Sequence, residues 1–296
     1  MTPYLGEIFS ISCALFWAVA VIFLRTASVR VPALELNILK NSVGVVLFAG
    51  TFLVMGFDQF QGLDSRSLAL LGVSAVFGIT IADTAFLKAL SILGASRTAV
   101  LDCLYSPFVI VLSVIFLGET FGWGQAAGFV LVLGGVFLAT SSSPRDPLTR
   151  HQLWTGLGYG TLSMFTMAIG VIISKPILEN TSPIAVSGWR LLIGLLGGVI
   201  WMLVSGRTPR SVKVFRGPLP WVSILMGSFL GTWLALIVWM AGFKYALAST
   251  ASILNQTSVI FIVILAVLFL HEPIGWKKAL GTGLGFCGIA AIFLLT

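Results

Sequence analysis

Ten long apolar runs divide the sequence, separated by glycine, proline or charged residues. A helix needs about 20 apolar residues to cross about 30 Å of hydrocarbon, whereas a transmembrane barrel shows short alternating segments. Only 9% of the residues are charged, against about 25% in soluble domains. We therefore predict an all-α polytopic membrane protein with ten transmembrane helices, near residues 5–24, 33–56, 68–88, 95–117, 123–141, 154–175, 184–205, 219–243, 248–270 and 275–295.

The distribution of Lys and Arg predicts how these helices are oriented. The loops after odd-numbered predicted helices contain 12 of these residues, and the loops after even-numbered ones contain 3, namely Arg66, Lys175 and Lys244. Cytoplasmic loops carry the excess of positive charge, so both termini are predicted outside, in the periplasm of a bacterial inner membrane. The net charge of +7 is therefore interpreted as a signal of membrane topology. A lipid bilayer is the expected partner, and no nucleic-acid partner is expected.

The sequence gives little support for an enzymatic function. The cysteines Cys13, Cys103 and Cys287 lie in apolar runs without metal-type spacing, and both histidines, His151 and His271, lie in predicted loops. No HExxH or GxSxG motif is present. A membrane-embedded enzyme is therefore disfavoured, and we expect neither a metal nor a cofactor.

An internal repeat is the most informative feature of the chain. The segment LGETFGW at 117–123 returns as LHEPIGW at 270–276, which is 153 residues later. Other matching positions are Ala95 and Ser96 with Ala248 and Ser249, Asp102 with Asn255, and, at a spacing of 150, Lys40 and Gly44 with Arg190 and Gly194. We predict two five-helix repeats, 1–143 and 154–296, joined by a linker at 144–153.

Five is an odd number, so the second repeat must be inverted relative to the first. Inverted repeats are a recurrent design of secondary transporters, which bind substrate near the midplane and alternate access between the two sides. A channel or a purely structural membrane protein is the alternative. Ten helices can enclose a path without a partner subunit, so the transporter is expected to function as a monomer.

The ten spans, the duplication and the twice-present block, LGETFGWGQAAG and LHEPIGWKKALG, resemble the drug/metabolite transporter superfamily of the EamA type. The resemblance covers essentially the whole chain. It implies a Gly-Glu turn between the fourth and fifth helices of each half and, within the superfamily, a likeness to bacterial exporters of amino acids, including the aromatic ones. Many members are drawn with both termini in the cytoplasm, and the charge count here argues the reverse.

Two polar faces occupy matching positions in the fourth and ninth predicted helices. Asp102, Tyr105 and Ser106 share one face of the fourth helix, and Pro107 is expected to kink that helix and free backbone carbonyls. Asn255 and Gln256 form the corresponding face of the ninth helix. These residues either line a substrate cavity or make interhelical hydrogen bonds, which are worth about 0.6 kcal/mol each.

Charged residues inside other spans are further candidates for substrate binding, because ionisable groups in hydrocarbon are costly and usually face the bundle interior. Lys40 with Asn41, and Trp189 with Arg190, lie about two turns into their spans; each cation could hold a substrate carboxylate or cap a helix end. Asp83 is either a protonation site or one partner of an ion pair with Lys40 or Lys88.

Aromatic side chains and the repeated glutamates complete the candidates. Trp17 and Trp239 lie within spans and are predicted to form the apolar part of a pocket. Glu119 and Glu272 follow span ends and are expected to cap the next helix.

The leading hypothesis is an exporter of small metabolites, chiefly amino acids, that works by alternating access. One alternative is a multidrug or organic-cation exporter, which would use Asp83 or Asp102 together with tryptophans. Another is a carrier of sugar phosphates or nucleotide-sugars, which would need more deep cations than Lys40 and Arg190.

Overall fold

A computed structural model of the chain describes residues 4–119, 122–140, 148–272 and 275–294. The described residues form helices and connecting turns, without strands. Within these ranges, seven helices are long and apolar enough to cross a membrane. In chain order the helices are α1 (Leu5–Ser28), α2 (Ala33–Met55), α3 (Ser65–Leu93), α4 (Ala95–Leu117), α5 (Trp123–Thr140), α6 (Arg150–Glu179), α7 (Pro183–Val204), α8 (Thr208–Arg216), α9 (Trp221–Tyr245), α10 (Ala248–Asn255 and Ser258–Leu270) and α11 (Trp276–Leu294).

The all-helical class is confirmed, and helices occupy all ten predicted positions. The three that are not among the seven long apolar ones are α5, α10 and α11. A short surface helix, α8, stands in a predicted loop. Helices α3 and α6 extend beyond the predicted spans, and α6 contains Pro176, which lies just outside the predicted span 154–175.

Local sequence signals explain several helix boundaries. The Thr149 hydroxyl accepts a hydrogen bond from the Gln152 amide at 3.2 Å, while the Gln152 side chain accepts one from the Thr149 amide at 2.9 Å, which is a capping box. Asp64 caps α3 by accepting from the Ser67 amide at 2.9 Å. Gly94, between α3 and α4, has a φ of +86°, a conformation that glycine adopts without strain.

Helices α4 and α10 are each interrupted near the middle, at 103–104 and 256–257. At both breaks the backbone amide donates to the carbonyl three residues earlier, and not four as in an α-helix. These bonds run from the Leu104 amide to the Leu101 carbonyl and from the Thr257 amide to the Leu254 carbonyl. Pro107 lies just after the first break, but the second occurs in a helix without proline. The break in α4 lies just before Pro107, and the break in α10 shows that such an interruption does not require proline.

Two π-helical segments occupy equivalent places in α3 and α9, at Val76–Ile81 and Ser228–Leu234. Each contains a glycine, Gly78 or Gly231, and the two are 153 residues apart. A π segment widens the helix and leaves backbone carbonyls available to other partners. In α3 the Asn37 side chain donates to one of these carbonyls, that of Ile79, at 2.9 Å.

Basic side chains at the ends of α1 and α6 cap the ends of α3 and α9. Arg25 Nη1 donates to the Leu90 carbonyl at 2.6 Å, and Lys175 Nζ donates to the Phe243 carbonyl at 2.6 Å. A cation at a helix C-terminus is favourable because it satisfies free carbonyls and opposes the helix dipole. Leu90 and Phe243 are 153 residues apart, so the two halves repeat this contact.

Candidate functional site

A central cavity lies between residues of both halves. It contains about 820 Å³ of space between the lining side chains, part of it continuous with its opening. Nine of the twelve residues predicted to bind substrate line it: Trp17, Lys40, Asp83, Asp102, Tyr105, Arg190, Trp239, Asn255 and Gln256. The structure thus brings together side chains that are separated by more than 230 positions in sequence.

The π segments of α3 and α9 form two walls of the cavity. Gly78 and Ile79 line it from α3, and Gly231 and Thr232 line it from α9. Because these glycines lack a Cβ, neighbours approach closely: a Cβ on Gly78 would lie 2.7 Å from Arg190 Nη2, and one on Gly231 would lie 2.9 Å from Ala20 Cβ. These wall residues were not predicted from the sequence, although the 153-residue spacing of Gly78 and Gly231 is a signal for them.

Lys40 and Asp83 form an ion pair at the cavity. Lys40 Nζ lies 2.6 Å from Asp83 Oδ2, and both side chains are largely buried. The Lys40 ammonium also donates to Asn41 Oδ1 at 2.9 Å, and Asn41 in turn donates to Asn37. Of the two partners considered for Asp83, the structure has Lys40, while Lys88 is exposed.

Arg190 has different surroundings from Lys40, its repeat mate. Its side chain is 1% exposed, its guanidinium lies 5.9 Å from the Trp239 ring centroid, and Nη1 is 3.4 Å from Met240 Sδ. Among the described residues, Arg190 Nε has no hydrogen-bond partner. An unpaired nitrogen of a buried guanidinium can donate to a ligand, and a carboxylate or phosphate suits it best.

Two further donors adjoin Arg190. The Tyr105 hydroxyl and the Trp239 indole nitrogen are buried and have no partner among the described residues, and their ring centroids are 6.2 Å apart. We call Arg190, Tyr105 and Trp239 the donor pole of the cavity.

Unpaired acceptors gather around the breaks of α4 and α10. Asp102 Oδ1, Asn255 Oδ1 and Gln256 Oε1 are buried without a partner in the described part of the chain, and the Trp17 indole faces the Asp102 carboxyl. The Gln256 Nε2 group donates to the Asp102 carbonyl at 2.8 Å, which joins the two breaks. We call Asp102, Asn255 and Gln256 the acceptor pole.

Three predicted binding residues lie outside the cavity lining. Asn41 stands behind Lys40, to which it is hydrogen-bonded. Ser106 pairs with Ser252 at 3.1 Å, the interhelical hydrogen bond considered as the alternative. The Trp189 indole donates to the Leu68 carbonyl at 3.0 Å.

The repeated glutamates cap helices of the opposite half. Glu272 accepts from the Ala95 amide at 2.7 Å, the Ser96 amide at 3.0 Å and the Ser96 hydroxyl at 2.7 Å, all at the start of α4. Glu119 accepts from the Ala248 amide, at the start of α10, at 3.2 Å. The expected caps of the following helices fall next to residues 120–121 and 273–274, which lie outside the described residues. The bonds seen here place α4 and α10 antiparallel, since the end of each meets the start of the other.

Within the described residues, no cluster of three His, Cys, Asp or Glu side chains could hold a metal ion. The described lining residues offer hydrogen bonding, charge and aromatic contact.

Comparison with curated proteins finds transporters. The chain is 28% identical over 135 residues to an "S-adenosylmethionine uptake transporter" of Rickettsia conorii, covering 46% of this chain and 44% of that protein. It is 22% identical over 241 residues to an uncharacterized transporter of Synechocystis, covering 77% and 69%. A chloroplastic WAT1-related protein of Arabidopsis thaliana is 25% identical over 194 residues, covering 63% and 45%. The chain thus matches less than half the length of the Rickettsia relative.

A solved structure shares the fold along nearly the entire chain. The two superimpose with a TM-score of 0.71 at 15% identity, covering 98% of this chain and 96% of the other. The model of the EamA-like transporter family matches this sequence twice, at residues 4–141 and 154–294. The chain therefore belongs to the EamA-like transporter family.

Proposed function

We propose that this transporter exports small zwitterionic metabolites, chiefly amino acids including aromatic ones, across the bacterial inner membrane by alternating access. The separation of donor and acceptor poles around one cavity carries the proposal. A carboxylate fits beside Arg190, Tyr105 and Trp239, and an ammonium group fits beside Asp102, Asn255 and Gln256, because each pole offers unpaired groups of the complementary kind. A molecule with both groups satisfies both poles.

Aromatic walls favour planar or apolar side chains on the substrate. Trp17 packs near Phe86 with ring centroids 5.4 Å apart, and Trp239 packs near Phe243 at 5.3 Å. Trp17, Phe86 and Trp239 all line the cavity. Such rings give apolar contact and edge or face interactions with an aromatic substrate.

The proposal includes ten transmembrane helices arranged as two inverted five-helix repeats, at 1–143 and 154–296. Three repeated contacts support it: the reciprocal caps by Glu119 and Glu272, the helix-end cations Arg25 and Lys175, and the paired π segments. The caps and cations place equivalent residues at opposite ends of the bundle: Glu119 meets the start of α10 near the end of α9, and Glu272 meets the start of α4 near the end of α3. Rocking of one such half against the other exposes a midplane site to each side in turn.

S-adenosylmethionine is the second candidate substrate, because the Rickettsia relatives are named S-adenosylmethionine uptake transporters. It carries an amino acid moiety that the two poles fit, together with a planar base. Sugar phosphates fit less well because Lys40 is already paired with Asp83, which leaves Arg190 as the cation with an unpaired nitrogen among the described lining residues.

Counterflow in proteoliposomes tests the substrate class. Proteoliposomes that contain the purified protein are loaded with unlabelled compound. Uptake of labelled L-phenylalanine is then compared with uptake of labelled phenethylamine, which lacks the carboxylate, and of labelled phenylpropionate, which lacks the amine. We expect only the zwitterion to exchange. Labelled S-adenosylmethionine is assayed in parallel. If it is transported and no amino acid is, S-adenosylmethionine replaces amino acids as the proposed substrate.

Variants assign each pole to one end of the substrate. Arg190→Met is expected to abolish phenylalanine exchange, because its carboxylate loses a charged donor, and Asn255→Leu is expected to weaken recognition of the ammonium. Arg66→Gln, an exposed cation away from the cavity, is the matched control and should exchange normally. Exchange of phenethylamine at the rate of phenylalanine would favour an organic-cation exporter and overturn the zwitterion proposal.

Membrane orientation is tested by cysteine labelling in a Cys287→Ser background, since Cys287 is exposed and the other two cysteines are buried. If both termini are periplasmic, an impermeant reagent added to intact cells labels Gln61→Cys but not Lys88→Cys. Labelling of Lys88→Cys alone would place the termini in the cytoplasm. Flux measured with and without a pH gradient decides whether protons move with the substrate, for which the Lys40–Asp83 pair is the candidate site.

A further inference from the structure

The surface helix α8 carries a dense set of cations outside the transport cavity. Arg207 precedes it, and Arg210, Lys213 and Arg216 lie within it, all exposed. No Asp or Glu occurs in the sequence between Glu179 and Glu272. Neither of the ion pairs found among the described residues, Lys40–Asp83 and Lys175–Glu179, includes any of the four. Their charge is therefore not neutralised by a nearby acidic side chain of this segment.

One face of α8 is fastened to the bundle. The Ser211 side chain is fully buried and donates to the buried Glu35 carboxylate at 2.7 Å. Phe215 packs against Leu34, Ile38 and Met202. These contacts hold the helix across the start of α2 and the end of α7.

The cations face away from that anchor. Arg210, Lys213 and Arg216 follow each other at intervals of three, which places them on one side of the helix, opposite Ser211 and Phe215. Fixing the backbone in this way presents three positive charges together at low entropic cost on binding.

The position of α8 is that of a membrane boundary. Helix α7, a membrane-spanning helix by length and composition, ends at Val204, which is 83% exposed, just before α8. The next long helix, α9, begins at Trp221, which is half-exposed, and tryptophan is enriched where helices leave the hydrocarbon. At this level of the bilayer, the groups that meet exposed cations are lipid phosphates.

We propose that α8 binds the phosphate headgroups of anionic phospholipids through Arg210, Lys213 and Arg216. The guanidinium groups of Arg210 and Arg216 match phosphate oxygens in bidentate geometry, while the Lys213 ammonium acts as a point charge. Juxtamembrane cations of this kind are attracted to anionic lipid surfaces. The site is independent of the zwitterion proposal, since none of these residues lines the cavity.

Native mass spectrometry of the full-length protein in detergent tests this. The protein is titrated with phosphatidylglycerol or with phosphatidylcholine, and bound lipid is counted. We expect phosphatidylglycerol to be retained preferentially, and the triple variant Arg210→Gln, Lys213→Gln, Arg216→Gln to weaken its retention on the order of tenfold or more.

A dispersed triple variant controls for net charge. Arg30→Gln, Lys88→Gln, Arg150→Gln removes the same charge from exposed positions elsewhere and should retain phosphatidylglycerol as the native protein does. Equal losses in the two triple variants, or no loss in the α8 variant, would overturn the proposal. Displacement of phosphatidylglycerol by inorganic phosphate at equal concentration would also overturn it, because the site would then be one for free anions.

The anchor gives a second test. The double variant Ser211→Ala, Phe215→Ala keeps every charge of α8 but removes both its hydrogen bond to Glu35 and its packing against the bundle, so the three cations are no longer held together. Weaker retention of phosphatidylglycerol by this variant supports a built site on α8. Unchanged retention would show that the position of the helix does not matter and would contradict the geometry proposed here.

Discussion

Lys40 and Arg190 stand at matching positions of the repeat, yet the structure uses them differently. Lys40 is held by Asp83 at 2.6 Å and by Asn41, whereas Arg190 rests on Trp239 and Met240 with Nε unpaired among the described residues. The position matching Asp83 at a spacing of 153 is Leu236. The presence of the Asp83 carboxylate neutralises Lys40, and its absence at the matching position leaves Arg190 able to bind an anion.

The largest expected effect on stability comes from breaking the neutralised pair. Lys40→Met leaves Asp83 charged and without its partner, which we expect to lower the free energy of unfolding by about 3–5 kcal/mol. Arg190 belongs to neither ion pair found among the described residues. Arg190→Met should therefore lower the free energy of unfolding by less, although substrate binding is lost. Thermal unfolding in detergent measures both.

The double variant Lys40→Met, Asp83→Leu is the matched control. It removes both charges, and such replacements are often neutral or stabilising. We expect it to recover most of the stability that Lys40→Met loses. Equal destabilisation by Lys40→Met and Arg190→Met would contradict the distinction between the two cations.

The repeat made most of this arrangement predictable. The duplicated block 117–123 and 270–276, with the apolar runs, located the helices, and deep charged or amide residues such as Lys40, Asp102 and Asn255 indicated the cavity. These signals are local, because hydropathy and the cost of burying charge act on each segment by itself. The positions of Trp17 and Arg190 in the same cavity were expected from their depth alone.

Contacts between the halves were not predictable in the same way. The cap from Glu272 to the start of α4 depends on where α10 ends relative to α4, and nothing near Glu272 in sequence specifies that. The lining residues Cys13 and Met164 resemble ordinary core residues in sequence. Widened helices at Gly78 and Gly231 follow from packing between helices, which a hydropathy pattern does not report.

The two glutamate caps give the second comparison. Among the described residues, Glu272 accepts three hydrogen bonds at 2.7–3.0 Å, whereas Glu119 accepts one from α10 at 3.2 Å and one from Ser113 at 3.2 Å. Hydrogen bonds to charged groups contribute about 1.5–3 kcal/mol. We expect Glu272→Ala to lower the free energy of unfolding by about 2–3 kcal/mol and Glu119→Ala by less.

Thermal unfolding again measures the difference between these caps. Glu7 is an acidic residue in the first turn of α1, and Glu7→Ala serves as a control that should change the stability least. If Glu119→Ala proved more damaging than Glu272→Ala, the hydrogen bonds described would not determine the strength of the caps.

The paired glycines of the π segments should separate stability from transport. A Cβ on Gly231 would meet Ala20 Cβ at 2.9 Å, a contact that side-chain rotation cannot relieve, so Gly231→Ala should cost about 1–3 kcal/mol of stability. A Cβ on Gly78 would meet the far end of Arg190 at 2.7 Å, which can move. Gly78→Ala should therefore unfold nearly as the native protein does but exchange substrate poorly, whereas normal exchange by Gly78→Ala would remove Arg190 from the substrate site.

The smallest effect concerns the starts of α3 and α9. Asp64 caps α3, while the residue before α9, Pro220, offers no side-chain cap. Hydrogen bonds from Ser67 hold the pKa of Asp64 below its usual value, so the carboxylate stabilises the fold above the pKa of an unfolded aspartate, about 3.9. That contribution is lost as the pH falls through the lower pKa of the folded state.

Asp64→Ala should therefore lower the unfolding temperature slightly at neutral pH, by less than Gly231→Ala, because Asp64 is exposed and surface electrostatics are screened by water and salt. The difference from the native protein should shrink in acid, measured by unfolding scans at neutral pH and near pH 3. A difference that stays constant with pH would mean that Asp64 stabilises α3 through its shape, as an uncharged cap would, and its contrast with α9 would then not be electrostatic.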